Sequence, residues 1–378
     1  MRNSVRGQVD PFIVMDVMEA ARLAEESGRH VIHMEVGQPS VGAPKGAREA
    51  LAAALAQPLG YTVALGLPEL RRGIAGLYRR WYGVDLDPAR VVVTAGSSGA
   101  FILAFSALFD AGDRVALGEP GYPSYRQILR AMSVEPVGMQ TRPENRYQPV
   151  PSDIPEGVQG VILASPGNPS GTMLGRAELA ALASAATARG AALVSDEIYH
   201  GLSYGERAVT ALEVTDEVVV VNSFSKFFGM TGWRVGWMVV PEGMIRTVER
   251  LAQNLFICPP HASQVAALAA LGCEDEARAN LAVYAENRRM MLDRLPGIGL
   301  SRIAPPDGAF YVYADVSDLT RDSRALAAEI LEHAGVAVTP GLDFDPVRGA
   351  GTLRFSYARS SEDVAEGLDR LARFMSRR

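Results

Sequence analysis

Between about residues 90 and 240 the chain alternates short, β-branched apolar runs with alanine-rich stretches whose apolar residues recur three and four positions apart. That alternation predicts a parallel sheet with helices on both faces, because strands buried on two sides need no polar positions between apolar ones. The strands read as residues 90–94, 113–117, 160–164, 191–195, 218–221 and 234–240, with helices in "SSGAFILAFSALFD", "SYRQILRAMS" and "RAELAALASAATARG". Upstream lie one helix over 14–27, a short strand and the Gly/Pro-rich passage "EVGQPSVGAPKG". Downstream, a long helical pattern over 275–295 stops at Pro296-Gly297; "AFYVYADV", a helix near 323–334 and "GTLRFSYA" then read as a smaller α+β unit. The expected fold is α/β: a large domain over 43–282 with a mostly parallel seven-stranded sheet between helices. A smaller α+β domain is expected from the N-terminal segment 1–42 and the C-terminal residues 283–378.

Length agrees, since 378 residues exceed what one core usually organises. Hydrophobic residues make up 48% and charged ones 21%, an ordinary balance for a soluble globular enzyme. The net charge of −6, with no basic cluster longer than a pair, argues against nucleic acid and anionic membrane as main partners. No run approaches the roughly 18 apolar residues of a membrane span. The N-terminus is interrupted by Asp10, Pro11, Asp16 and Glu19 before an apolar stretch of signal-peptide length develops. Cys258 and Cys273 form no CxxC pair, and His30, His33, His200, His261 and His333 show no ligand spacing, so neither disulfide scaffold nor metal site is expected. A cytoplasmic location follows as the expectation.

Ligands of open parallel sheets collect at the carboxyl ends of the strands, and here those ends carry chemistry. After 90–94 comes "AGSSGA", small residues opening a helix whose free amides and hydroxyls, Ser97 and Ser98, suit an anion. After 160–164 comes "SPGNPSG" with Asn168 between prolines; after 191–195 come Asp196 and Tyr199. After 218–221 come Ser223, Ser225 and Lys226, the lysine among Phe224, Phe227 and Phe228, where lost hydration pushes an amine toward its neutral, nucleophilic form. A nucleophilic lysine, a carboxylate to keep a ring nitrogen protonated, a phenol and an amide for a ring hydroxyl, and an anion cradle suit one cofactor, pyridoxal phosphate.

The ordered set "YTVALGLPELR", "SPGNPSG", "SDEIY", "SFSKFFGMTGWRVG" and "LRFSYA" resembles the class I/II aminotransferases, pyridoxal-phosphate enzymes of fold type I, over nearly the whole chain. The resemblance implies that Lys226 is the Schiff-base residue and proton shuttle, that Asp196 pairs with the pyridine nitrogen, and that Asn168 and Tyr199 bond the ring hydroxyl. It also implies that Ser97, Ser98, Ser223 and Arg234 hold the phosphate and that Tyr122 stacks on the cofactor. Tyr61 would reach the phosphate of a neighbouring subunit, hence a homodimer. Arg354 would grip the substrate α-carboxylate, with Gly37 and Asn168 beside it. Transamination between an L-amino acid and a 2-oxo acid is the implied activity. A carbon–sulfur β-lyase on the same scaffold is the runner-up, and a non-catalytic cofactor-binding module a third reading. "AQNLFICPP" lacks the basic residue that dicarboxylate-specific members can carry there, which leans toward neutral or aromatic substrates.

Overall fold

The structure, a computed structural model, describes residues 1–377. Its strands are β1 (Ile32–His33), β2 (Val91–Thr94), β3 (Arg114–Glu119), β4 (Glu135–Gln140), β5 (Gly160–Ala164), β6 (Ala192–Asp196), β7 (Val219–Ser223), β8 (Gly236–Val239), β9 (Tyr311–Asp315), β10 (Val336–Ala337), β11 (Thr339–Pro340) and β12 (Thr352–Ser356). The large sheet runs β2-β8-β7-β6-β5-β3-β4. All neighbours from β7 to β4 are parallel, whereas β8 is antiparallel to both β7 and β2. Alternate residues go to opposite cores: Val161, Leu163 and Val220 into one, Ile162, Val219 and Val221 into the other. Burial on both faces is why these strands read as unbroken apolar runs.

Two expectations need correction. Residues 135–140, "EPVGMQ", were not among the strands read from the pattern, yet they form edge strand β4. Only Met139 is buried there, and at an edge the missing N–H of Pro136 is tolerated, so no apolar run marks the strand. The run expected over 234–240 begins as strand only at Gly236, because Arg234 adopts φ 49°, in the left-handed region. That turn takes the arginine out of the strand and to the strand-end side.

The first helix, Ile13–Glu26, and the helices Glu274–Arg294 and Ser323–Ala334 stand where the periodicity places them. β9, β12 and β11 form an antiparallel sheet in the C-terminal third, while β1 pairs in parallel with β10. The N-terminal segment is thereby laced to the C-terminal third, since the Ser356 amide also donates to the Met34 carbonyl at 2.7 Å. Among the described residues no helix is long and apolar enough to cross a membrane.

Candidate active site

Because β2, β5, β6 and β7 point the same way, Gly96, Asn168, Asp196 and Lys226 all emerge at one edge of the sheet. Lys226 keeps some contact with solvent, and its Nζ donates to the Gly37 carbonyl at 2.6 Å. The amine lies 5.8 Å from the centroid of the Tyr199 ring and 6.0 Å from that of Phe310. Lost hydration, then the positive charges of Arg354 and Arg234, lower its pKa to about 8, against the pull of Asp196. The amine can therefore shed its proton near neutrality, as an acid–base group and nucleophile must.

Asp196, only 4% exposed, closes β6. Its Oδ1 accepts from the Ile198 amide at 3.1 Å and its Oδ2 from the Tyr125 hydroxyl in a short hydrogen bond. Burial raises this carboxyl to about 6, opposed by those two donors and by Lys226. A buried carboxylate that remains under-compensated favours a cationic partner. Glu197 turns the other way, accepting from Ser195 Oγ at 3.1 Å and the Ala211 amide at 2.7 Å.

The anion cradle forms where β2 turns into the helix Gly96–Leu108. Gly96 has φ 72°, and a Cβ there would stand 2.5 Å from Arg234 Nη2, so only glycine lets the guanidinium lie against the head of the helix. Across from it, a Cβ on Gly236 would stand 3.0 Å from the Ser97 amide nitrogen. No side chain caps this helix, so its first-turn amides stay available beside the half-buried Ser97, the exposed Ser98 and the exposed Arg234. Ser223 is buried instead: its hydroxyl donates to Ser225 Oγ at 2.8 Å and accepts from the Ser225 amide at 3.0 Å. It shapes the turn before the lysine, while Ser97, Ser98 and Arg234 present their polar groups outward.

Arg354 comes from β12 and is 2% exposed. Nη1 donates to Asn168 Oδ1 at 3.0 Å; Nη2 donates to Thr339 Oγ1 at 3.2 Å and, in a short bond, to the Glu35 carbonyl. The guanidinium lies over the rings of Tyr311 (4.4 Å) and Phe344 (4.7 Å), and its buried Nε has no partner among the described residues. Its hydrogen-bond partners are neutral acceptors and its flanks aromatic faces, while the nearby Asp343 carboxylate is bonded to the Ile13 and Val14 amides, so a carboxylate ligand could still pair with the fork. Asn168 thus touches the arginine as well as standing at the β5 end. The Tyr199 hydroxyl bonds that of Tyr311 at 2.7 Å, and a Cβ on Gly37 would strike Tyr311 Oη at 1.8 Å. Tyr122, half-buried at the start of the helix Pro123–Ala131, sets its ring edge-on to Tyr125. Tyr61 stands apart, 83% exposed.

Tyr125 and Tyr311 were missed by sequence reading. Tyr125 shares "PGYPSY" with Tyr122, three positions on, so the spacing was a usable signal. Tyr311 was read as a strand residue, and only the approach of β9 to Tyr199 and Arg354 gives it a part in the site.

The donor set fits pyridoxal phosphate on the structure's own terms. An amine of lowered pKa faces a buried carboxylate, a glycine-floored helix terminus lies under an arginine, and a second arginine keeps an unpartnered Nε. Such a donor set is what the strand-end site of a pyridoxal-phosphate enzyme needs. The model of the family "aminotransferase class I and II" matches residues 29–371. The valine–pyruvate aminotransferase of Mycobacterium tuberculosis is 49% identical over 99% of this chain and 98% of its own. Among solved structures, one from Silicibacter pomeroyi is 68% identical with TM-score 0.95, covering 100% of both chains. The aspartate aminotransferase from Thermus thermophilus with maleate is 33% identical with TM-score 0.92, over 99% of this chain and 100% of that one. The chain belongs to the class I and II aminotransferases: it is a pyridoxal-phosphate-dependent enzyme that moves an amino group between an amino acid and a 2-oxo acid. The lyase and non-catalytic readings are not favoured.

Proposed function

We propose that this enzyme transfers the amino group of a neutral L-amino acid, valine-like in its side chain, to pyruvate or a similar small 2-oxo acid. The observation that carries the reading is Arg354, a buried guanidinium hydrogen-bonded to neutral acceptors with Nε unpartnered, which suits the one carboxylate all such substrates share. The valine–pyruvate relative and the absence of a basic residue from 252–260 support the neutral side chain.

In this reading Lys226 Nζ would hold the cofactor and, with its lowered pKa, would accept the substrate α-proton. Bound pyridoxal phosphate supplies an electron-withdrawing ring that stabilises the carbanion left behind. Asp196, oriented by Tyr125 and the Ile198 amide, would hold the ring nitrogen protonated. Tyr199 and Asn168 would hydrogen-bond the ring hydroxyl. Ser97, Ser98, Arg234 and the helix amides would hold the phosphate, Ser223 supporting the turn, and Tyr122 would lie beside the ring. The same Lys226 amine would return the proton, so that one group serves first as base and then as acid. Gly37, whose carbonyl holds the amine, borders the substrate. The segment 1–42 and residues 283–378 act as one domain against 43–282, which the β1–β10 pairing supports.

The test is absorbance of the cofactor-loaded protein during titration with a panel of L-amino acids. Neutral amino acids should convert the lysine-bound band to the amino form of the cofactor, and pyruvate should restore it. Pyruvate and ammonia from cysteine-like substrates, with the band persisting, would overturn transfer in favour of elimination.

A homodimer with Tyr61 reaching into the neighbouring site belongs to the same proposal, as does a cytoplasmic setting, which the two free thiols suit. Tyr61 is flanked by exposed Val63, Leu255 and Ile257, drawn together where the Thr62 amide meets Cys258 Sγ at 3.4 Å and His261 Nδ1 meets the Gly60 carbonyl at 2.9 Å. An apolar patch of this kind marks an interface. Sedimentation at micromolar concentration should give twice the chain mass, and Tyr61→Ala should weaken phosphate retention; a monomer that keeps its cofactor tightly would sink the idea.

A further inference from the structure

The helix Ile13–Glu26 has Phe12 at its N-cap and receives no capping bond from that residue's side chain. Its first amides are served from the far end of the chain: Asp343 Oδ1 accepts from Ile13 at 3.0 Å and Oδ2 from Val14 at 3.2 Å. Asp343 is 3% exposed, so this is a buried carboxylate spent on a helix start more than three hundred residues away. Phe344, the next residue, lies with its ring 4.7 Å from the Arg354 guanidinium. The Phe344 carbonyl accepts from the Gly121 amide at 3.0 Å. Gly121 precedes Tyr122, and the Tyr122 ring meets Phe12 edge-on at 5.9 Å. The circuit closes on itself: Phe12 and Ile13, Asp343, Phe344 beneath Arg354, Gly121, Tyr122, and Phe12 again.

What this circuit joins is the carboxylate fork, the residue beside the cofactor and a half-buried phenylalanine used by no step described above. The apolar groups on the circuit are Phe344, whose ring faces Arg354, and the edge-on pair of Tyr122 and Phe12. We propose that Asp343 is a positioning residue for substrate binding: by capping the first helix it holds Phe12 against Tyr122 as an apolar wall that selects neutral side chains. The proposal rests on the reading of Arg354 as the carboxylate fork. An acidic side chain placed against such a wall loses hydration without gaining a cation, whereas an aliphatic one gains burial.

The test uses the cofactor-loaded enzyme and its Asp343→Ala, Asp343→Asn, Phe12→Ala and Arg354→Lys variants, with L-valine and L-aspartate as probes. Asp343→Ala and Phe12→Ala should each raise KM for L-valine about 10-fold while kcat changes less than about 3-fold, the signature of lost side-chain binding. KM for L-aspartate should move little, and the absorbance of bound cofactor should persist. Asp343→Asn keeps one acceptor oxygen and should recover part of the L-valine KM. Unchanged KM for L-valine in Phe12→Ala overturns the wall, whether or not Asp343→Ala accumulates as folded protein. Equal losses for both amino acids in Asp343→Ala, accompanied by loss of cofactor, overturn the positioning role in favour of a purely structural one. Arg354→Lys separates the two layers: if it leaves KM unchanged for both probes, the carboxylate reading fails. If it raises both while the Phe12 and Asp343 variants do not, only the present inference fails.

Discussion

Lys226→Ala is expected to lower the rate of transamination by at least about 10⁴-fold, the upper range for a removed general base, because in the proposed mechanism the same amine also anchors the cofactor. The drop should appear in single-turnover absorbance, where the α-proton step is observed directly, and substrate affinity should change far less. Stability should move the opposite way. The folded-state pKa of this lysine is lowered from 10.5 to about 8, so the penalty for housing its cation is fully present below about pH 8 and fades toward 10.5. Without cofactor at neutral pH, the alanine variant should therefore unfold at a temperature equal to or above that of the parent. A variant that turns over at more than a hundredth of the parental rate would remove Lys226 from the chemistry.

Asp196→Asn is the second large effect. Asparagine keeps the size and an acceptor for the Tyr125 hydroxyl but not the charge, and losing one preorganised electrostatic partner costs about 10²–10³-fold in rate. Its stability signature has a defined sign. Burial raises the folded-state pKa from 3.8 to about 6, so the folded protein holds this proton more tightly than the unfolded chain does. Stability from this group is thus greatest below about 3.8, declines as pH rises to about 6, and stays level above it. Roughly two pH units correspond to a contribution on the order of 3 kcal/mol. Measured without cofactor, Asp196→Asn should be more stable than the parent above pH 6 and should lose that advantage toward pH 4. Urea midpoints at the two pH values check this; an advantage independent of pH would show that Asp196 is not held at a cost. Both variants express one trade: the groups that prepare the site are those the fold tolerates least well.

The four chemical strand ends were legible because each is local. A parallel strand buried on both faces must stop being apolar where it leaves the sheet, so the first polar residues after each run mark one common edge. Asn168, Asp196 and Lys226 could be picked out that way, and Gly96 with Ser97 and Ser98 by the same rule. Strand β4 could not, because an edge strand with Pro136 and Gly138 carries no buried pattern to read.

Hydrogen-bond partners lie beyond any local pattern. Whether a serine hydroxyl points into a site or back into its own turn depends on packing around it: Ser223 turns inward to Ser225, while Ser97 and Ser98 stay at the cradle. Tyr125 on Asp196, Tyr311 on Tyr199, and Asp343 at the head of the first helix join segments 71, 112 and 330 residues apart. The amino-acid order alone was enough for the α/β architecture, the cofactor and the type of reaction, because strand periodicity and strand-end residue types are written within a few positions. Which groups tune Asp196, that Arg354 is hydrogen-bonded to neutral acceptors, and how the first helix is tied to the loop beside Arg354 came only with the folded chain. Each of those is set by desolvation and contact between distant segments, which exist only once the core has closed.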